Sequence, residues 1–300
     1  STATNSVEYT SIDVYGNLSG WTSGGNLPAA TAWGQLEVLG RTNKTLYYLG
    51  GQNSGGTGQT AVYYSSSFTG LSPNWSTSGQ PLPSARTQFS SVTWDNRIYV
   101  TGGSGSGGTC SVASVCDTVY VSTQQSAGGD FSGGWTTATN TFNVDRSGHS
   151  AVAYANNLYI IGGYDGTNYL SDVQVASIGY KAGSITQSAS TVTGVGTNWT
   201  SSMIGKTFQY NDGTLATIQT VPSTTSLTVN ITKTVASAEP YVIQDGSVGT
   251  WSYTTSLPEP IRQADAFAAN GYIYLVGGRS SDGDCVPNTL QAPVSANTVV

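Results

Sequence analysis

Charge is scarce in this chain. Only 9% of its 300 residues are charged, ten of them Lys or Arg, and the net charge is −6. A surface that neutralises phosphates needs clustered Lys and Arg, so nucleic acid is not an expected partner. Helical raw material is equally thin: there is one Met, no heptad, and no long stretch with apolar residues at a 3.6-residue period. No apolar run approaches the roughly 20 residues that cross a bilayer, and no membrane span is expected. His149 is the single histidine. One imidazole is too little for a copper centre, the place of His149 at the start of a first strand reads as a packed structural residue rather than as the base of a triad, and a C-x5-C pair without a second pair of ligands is poor zinc chemistry. No metal, no cofactor and no catalytic residue is therefore expected.

What is present is glycine and aromatics. Gly numbers 38, Tyr 18 and Trp 7, enough for a sizeable core built on rings. Four short apolar strands end in a double glycine: Leu46-Tyr47-Tyr48-Leu49-Gly50-Gly51, Ile98-Tyr99-Val100-Thr101-Gly102-Gly103, Leu158-Tyr159-Ile160-Ile161-Gly162-Gly163 and Ile273-Tyr274-Leu275-Val276-Gly277-Gly278. Trp21, Trp75, Trp135 and Trp251 precede them by 26 to 29 residues. The pairs start at 50, 102, 162 and 277, at intervals of 52, 60 and 115. This is an internal repeat with roughly 60 residues added to its third copy. Within a copy, a Leu-Pro turn leads to a short strand, a tight polar turn, the Gly-Gly strand, a Gly/Ser-rich loop, a third strand with period-two alternation, and a fourth strand carrying the next tryptophan. Four antiparallel strands in about 50 residues make one propeller blade.

In its double glycines and spaced tryptophans the chain resembles the kelch-repeat β-propellers. The resemblance extends over nearly all of it except about 180–244, and implies an all-β propeller with four visible repeats. An Arg stands 15 or 16 residues before the glycines in three copies, Arg86, Arg146 and Arg262. The first copy has Thr31 near that place. Kelch propellers include binding modules and a few enzymes, so the resemblance leaves function open.

The added residues have a grammar of their own. Runs 184–186, 190–194, 206–210, 216–218, 226–229 and 241–243 are short and β-prone, with turns such as Asn211-Asp212-Gly213 between them. About six strands here predict a small inserted β-sandwich or barrel. The stretch Thr191-Val192-Thr193-Gly194-Val195-Gly196-Thr197-Asn198-Trp199, followed by Gly205-Lys206, is similar to modules of bacterial surface and phage fibre proteins. The expected division is 1–179 and 245–300 for the propeller and 180–244 for the insert.

Cys110 and Cys116 share one loop at a spacing that closes a small disulfide ring in an oxidising compartment. Cys285 is left over. At the N-terminal end, Ser6–Thr10 and Gly20-Trp21-Thr22 read as a third and a fourth strand. Two readings follow: they complete a blade begun at the C-terminal end, or the polypeptide continues into further blades, as the likeness of 296–300 to a third strand suggests.

Composition and repeat together lead to an expectation of a non-enzymatic protein of the cell surface or exterior, with a protein or glycan ligand or with self-association into a fibre. Its binding face should carry the loops after the double glycines, with Arg86, Arg146, Tyr164, Asp165, Asn168, Arg262 and Asp282 as candidate contacts. A carbohydrate-active propeller enzyme, sialidase-like or lyase-like, and a phage fibre or receptor-binding component are the alternatives. The recurrence of the Arg position also fits a purely structural role, as does the place of His149 at the start of a first strand, where Phe89 and Asp265 stand in other copies.

Overall fold

The computed structural model describes residues 3–40, 44–66, 74–105, 110, 115–287 and 289–294. The chain divides into two compact units. The first comprises Ser1–Ala153, Tyr159–Val175 and Trp251–Pro293, and the second Tyr154–Leu158, Ala176–Thr250 and Val294–Val300. The edges of the second unit thus lie outside 180–244 on both sides. They also take in the hairpin turn at 154–158, where the Ile178 N–H donates to the Asn156 carbonyl.

In the first unit each double-glycine strand is the second of an antiparallel meander. Blade 1 is Gln35–Leu39, Thr45–Leu49, Val62–Ser65 and Ser76–Thr77. Blade 2 is Ser90–Trp94, Arg97–Thr101, Val119–Ser122 and Trp135–Thr137. Blade 3 is Ser150–Tyr154, Asn157–Ile161, the first residues of Val173–Tyr180, and Ser252–Thr254. Blade 4 has Asp265–Ala269, Tyr272–Val276 and Thr289–Pro293 among the described residues. The tight turns before the second strands place Asp95, Asn96, Ala155, Asn156 and Asn270 at positive φ, which suits two-residue hairpins.

Apolar side chains alternate along these strands and meet between blades. Tyr47 and Leu49 of blade 1 share a buried cluster with Ile98, Val100 and Phe131 of blade 2, and Tyr47 stacks on Phe131 at 4.6 Å. Two of the repeated tryptophans act as rivets, whereas the buried Trp75 Nε1 has no hydrogen-bond partner among the described residues. Trp135 Nε1 donates to the Gln80 carbonyl at 3.0 Å and Trp251 Nε1 to the Asn140 carbonyl at 3.3 Å, each reaching into the preceding blade's turn. Trp21 departs from this pattern and is exposed. The strand that follows it, Thr22–Thr31, pairs among the described residues only with Thr4–Tyr9. Among the described residues the N-terminal strands therefore do not complete blade 4, whose third strand comes from Thr289–Pro293. Residues 296–300 lie outside the described residues.

The second unit has its own core. Ile185, Val192, Trp199, Met203, Phe208, Tyr210, Ile218, Leu227, Val229, Val235, Tyr241 and Ile243 are buried together, and Trp199 Nε1 donates to the Tyr241 hydroxyl at 2.8 Å. Its strands are Ser184–Ser188, Thr191–Val195, Thr207–Tyr210, Leu215–Ser223, Ser226–Val229, Val235–Glu239 and Tyr241–Val248. That is one more than the six expected. Val235–Glu239 pairs with Ser184–Ser188 although its Ala, Ser and Glu residues lack the β-branched run by which the others announce themselves.

Candidate functional site

The double glycines build the frame on which the loops of the first unit stand. The second glycine of each of the first three blades donates its N–H to a carbonyl of the next repeat: Gly51 to Arg86, Gly103 to Arg146 and Gly163 to Ile261, at 2.8 to 2.9 Å. The first glycine lies against that same carbonyl with positive φ. A Cβ on Gly50, Gly102 or Gly162 would sit 2.8, 2.7 or 2.4 Å from it, so only glycine allows the approach. These contacts fix which residues are equivalent. The third member of the set is Ile261 rather than Arg262, one residue off the alignment drawn from the arginines. By the same slip, Ala264 and not Asp265 corresponds to Phe89 and His149, for each of these three lies against the second glycine of its own blade.

Arg86 and Arg146 are fully buried and engaged inside their blades. Arg146 donates to both carboxylate oxygens of Asp172, at 2.8 and 3.3 Å, and to the carbonyls of Val144 and Gly162, at 3.1 and 2.8 Å. Arg86 donates to Ser84, the Ala85 carbonyl, Thr118 and the Tyr120 hydroxyl. Thr118 occupies the place of Asp172, since Gly102 and Gly162 donate to their respective carbonyls. Burial lowers the Arg86 pKa, against a smaller opposing pull from Tyr120 and Asp117. Both guanidiniums thus serve the blade.

Arg262 is different because it has slipped out of that register. Its guanidinium is half-buried over two rings, 4.9 Å from the Tyr169 centroid and 5.5 Å from that of Tyr164. Its buried Nε has no hydrogen-bond partner. Tyr164 and Tyr169 meet edge to face, 5.7 Å apart, and the Tyr164 hydroxyl donates to the Gly166 carbonyl at 2.8 Å, holding the ring in place. Between them, Asp165 accepts from the Thr167 and Asn168 N–H groups at 2.7 and 2.6 Å, and those bonds keep its pKa low. The candidates Tyr164, Asp165, Asn168 and Arg262 thus come together on one loop and the adjoining strand. Asp282 belongs elsewhere, capping a turn through Ser280 and the Asp284 N–H.

A polar cavity of about 330 Å³ lies where the first strands of the four blades converge. Gln35, Glu37, Ser90, Ser91, His149, Ser150 and Asp265 contribute to its lining. Glu37 accepts from Ser91 Oγ at 2.6 Å, yet burial raises its pKa. Glu37 and Asp265, 228 positions apart, were not foreseen as neighbours. The available signal was the polar residue that opens each first strand, Gln35, Ser90, Ser150 and Asp265. The Thr101 hydroxyl donates to the Ser90 carbonyl at 3.0 Å, so His149 Nε2 is the donor in its 2.9 Å contact with Thr101 and Nδ1 is bare. Burial, and then Arg146, lower the His149 pKa to about 3. It is a neutral, packed imidazole. Among the described residues no three His, Cys, Asp or Glu side chains converge in a way that could hold a metal ion.

Cys110 and Cys116 form a disulfide. The Cys116 N–H donates to the Gly103 carbonyl and its carbonyl accepts from the Arg146 N–H, so the bridge anchors a loop at the junction of blades 2 and 3. Cys285 is free and exposed. Among the described residues no helix is long and apolar enough to cross a membrane.

Residues 145–175, from the turn before blade 3 into its third strand, match the kelch motif. No curated protein matches the sequence. Among solved structures the chain is similar to YjhT, with 13% identity and a TM-score of 0.49 over 97% of this chain and 90% of that one. With four double-glycine meanders linked in chain order and the kelch motif matched in the third, the fold is an all-β, kelch-type β-propeller.

Proposed function

We propose that this chain is a non-enzymatic propeller scaffold that acts at the cell surface or exterior and holds a glycan or protein ligand on its loop face. The observation that carries the reading is Arg262, a half-buried cation resting on two tyrosine rings. A tyrosine ring stacks on a sugar ring, and a guanidinium pairs with a carboxylate that a ligand brings. An acidic saccharide satisfies both. The disulfide and the low charge support an exterior location. The test is titration calorimetry against a panel of neutral and carboxylate-bearing oligosaccharides. Binding of an acidic member should weaken at least about tenfold in Arg262→Ala and in Tyr169→Ala, with unchanged circular dichroism. Equal affinity in all three proteins, or no binding by any, would overturn the reading.

A second reading, a carbohydrate-active enzyme, draws support from Glu37 and Asp265 in one cavity, with Glu37 made a weaker acid by burial. It requires hydrolysis of a glycoside that Glu37→Gln abolishes. A phage fibre component shares the fold and differs in its partner.

A further inference from the structure

One hairpin of the second unit has an outer face that is only half open to solvent. Thr207–Tyr210 pairs with Tyr241–Val248 so that Gln209 stands opposite Val242 and Tyr210 opposite Tyr241. Phe208, Tyr210, Tyr241 and Ile243 turn into the core, which leaves Gln209, Val242 and Gln244 on the other face of the sheet. The turn at 154–158 lies against that face: Asn156 Nδ2 donates to Gln209 Oε1 at 3.2 Å, and the Asn156 carbonyl takes the Ile178 N–H at 2.8 Å. Turn and sheet together enclose a cavity of about 120 Å³, lined by residues of this unit alone, among them Asn156, Lys181, Gln209, Asn211, Pro240 and Val242. Asn211 and Pro240 are exposed and mark its mouth.

Lys181 is the only charged side chain in the lining. Its position is fixed from the next residue, since the Tyr241 hydroxyl donates to the Ala182 carbonyl at 2.7 Å. Lysine is seldom buried without a counter-ion. Yet Lys181 is half-buried, has no hydrogen bond or ion pair among the described residues, and has its pKa lowered by burial. Gln209 is also underused. Asn156 Nδ2 and Gln244 Nε2 both donate to its Oε1, each at 3.2 Å, so the two lone pairs are taken and its NH2 group has no protein partner among the described residues. The lining thus offers an ammonium, a spare amide donor and no carboxylate, beside the carbon surfaces of Pro240 and Val242.

We propose that this cavity takes a small organic carboxylate, with its oxygens on Lys181 and Gln209 and its carbon body against Pro240 and Val242. A carboxylate supplies the acceptor that both donors lack, through charge-assisted bonds that are less screened in a half-enclosed site than at an open surface. The apolar wall selects an organic anion over a bare phosphate or sulfate, which would leave that wall wet. The inference is independent of the ligand reading, because the cavity shares no residue with the Arg262 cluster.

The experiment follows amide shifts of the full chain by nuclear magnetic resonance in an Arg262→Ala background, which removes the other proposed anion contact. Propionate, its uncharged amide propionamide, and inorganic phosphate are titrated at constant ionic strength. Propionate should move the signals of Lys181, Gln209 and Val242 to saturation and bind at least about tenfold more tightly than propionamide or phosphate. Lys181→Gln should weaken propionate binding at least about tenfold. Asn211→Asp sets a negative charge at the mouth and should weaken it about threefold or more; as an exposed change it keeps the test should Lys181→Gln impair folding. Absence of a saturable shift with propionate would overturn the inference. So would equal binding of propionamide or phosphate, shifts confined to other residues, or unchanged affinity in the lysine variant or, where that does not fold, in Asn211→Asp.

Discussion

Removing the carboxylate of Asp172 tests whether the recurrent arginine fastens the blade. Arg146 is 0% exposed and the Asp172 side chain 20%. In Asp172→Ala the guanidinium keeps the carbonyls of Val144 and Gly162 but loses two charge-assisted bonds. Breaking a buried pair from one side costs about 3–5 kcal/mol. Solvent at the exposed fifth of Asp172 screens part of this, which leaves about 2–4 kcal/mol. At about 2–4 °C per kcal/mol for a domain of this size, the transition should fall by about 5–15 °C. Scanning calorimetry measures it, and the insert deletion described below identifies which transition belongs to the first unit. Arg262→Ala is the control, expected to cost under about 1 kcal/mol because its charge is partly solvated and rests on rings. If Asp172→Ala cost no more than the control, Arg146 would be satisfied by water or backbone, and the assignment of this position to blade structure would fail.

Gly162→Ala should destabilise by more than about 3 kcal/mol, from positive φ and overlap with the Ile261 carbonyl, and Gly277→Ala by only about 1 kcal/mol from φ; similar denaturant midpoints for both would show that blade 4 has a neighbour in solution. Unreduced peptide mapping should recover Cys110 linked to Cys116, and a Cys110→Ser/Cys116→Ser variant should lose about 2 kcal/mol by the loop-entropy relation; alkylation of both thiols in the untreated protein would refute the bridge. Joining Gly179 to Asp245 should leave a cooperative thermal transition, since the Ser177 carbonyl already meets the Gly249 N–H and the core at 185–243 leaves intact; aggregation would show that the insert is part of the propeller core. His149 titrates near 3 when folded and 6.5 when unfolded, so its contribution is complete above pH 6.5 and is lost as pH falls, about 2 kcal/mol by pH 5. His149→Phe, which installs the residue found at position 89, should flatten that slope, and an unchanged pH profile would mean that the imidazole is solvated.

Much of this fold is legible from residue types because the blade depends on a few of them. A double glycine is required where two backbones meet at Gly102 and Arg146, and a tryptophan is required where one side chain must reach the neighbouring turn. Other features leave no such mark. The left-handed residues that open the first strands are Trp33, Gln88, Gly148 and Gln263, and only one is glycine, so composition does not reveal the set. Counting sixteen residues back from the last three double glycines gives Arg86, Arg146 and Ile261; following the arginines instead gives Arg262 and displaces His149's counterpart by one. The Arg262 cluster was half visible, since Tyr164, Asp165 and Asn168 sit in one short loop, whereas Tyr169 turns towards Arg262 only because Tyr164 pairs with it across the loop. Glu37 and Asp265 become neighbours through ring topology, a relation between distant strands that no local pattern encodes.

The linked turns make the propeller directional. Because Gln88 donates to Trp33, Gly148 to Gln88 and Gln263 to Gly148, each blade's entry is held by the blade before it, as in a row of repeats coupled only to nearest neighbours. Among the described residues the entries to blades 2 and 3 each take part in two such bonds and the entry to blade 4 in one, so blade 4 opens more readily than blades 2 and 3. Amide exchange would record this as slow protons at Gly148, faster ones at Gln263, and blade 4 fraying while blades 2 and 3 stay closed.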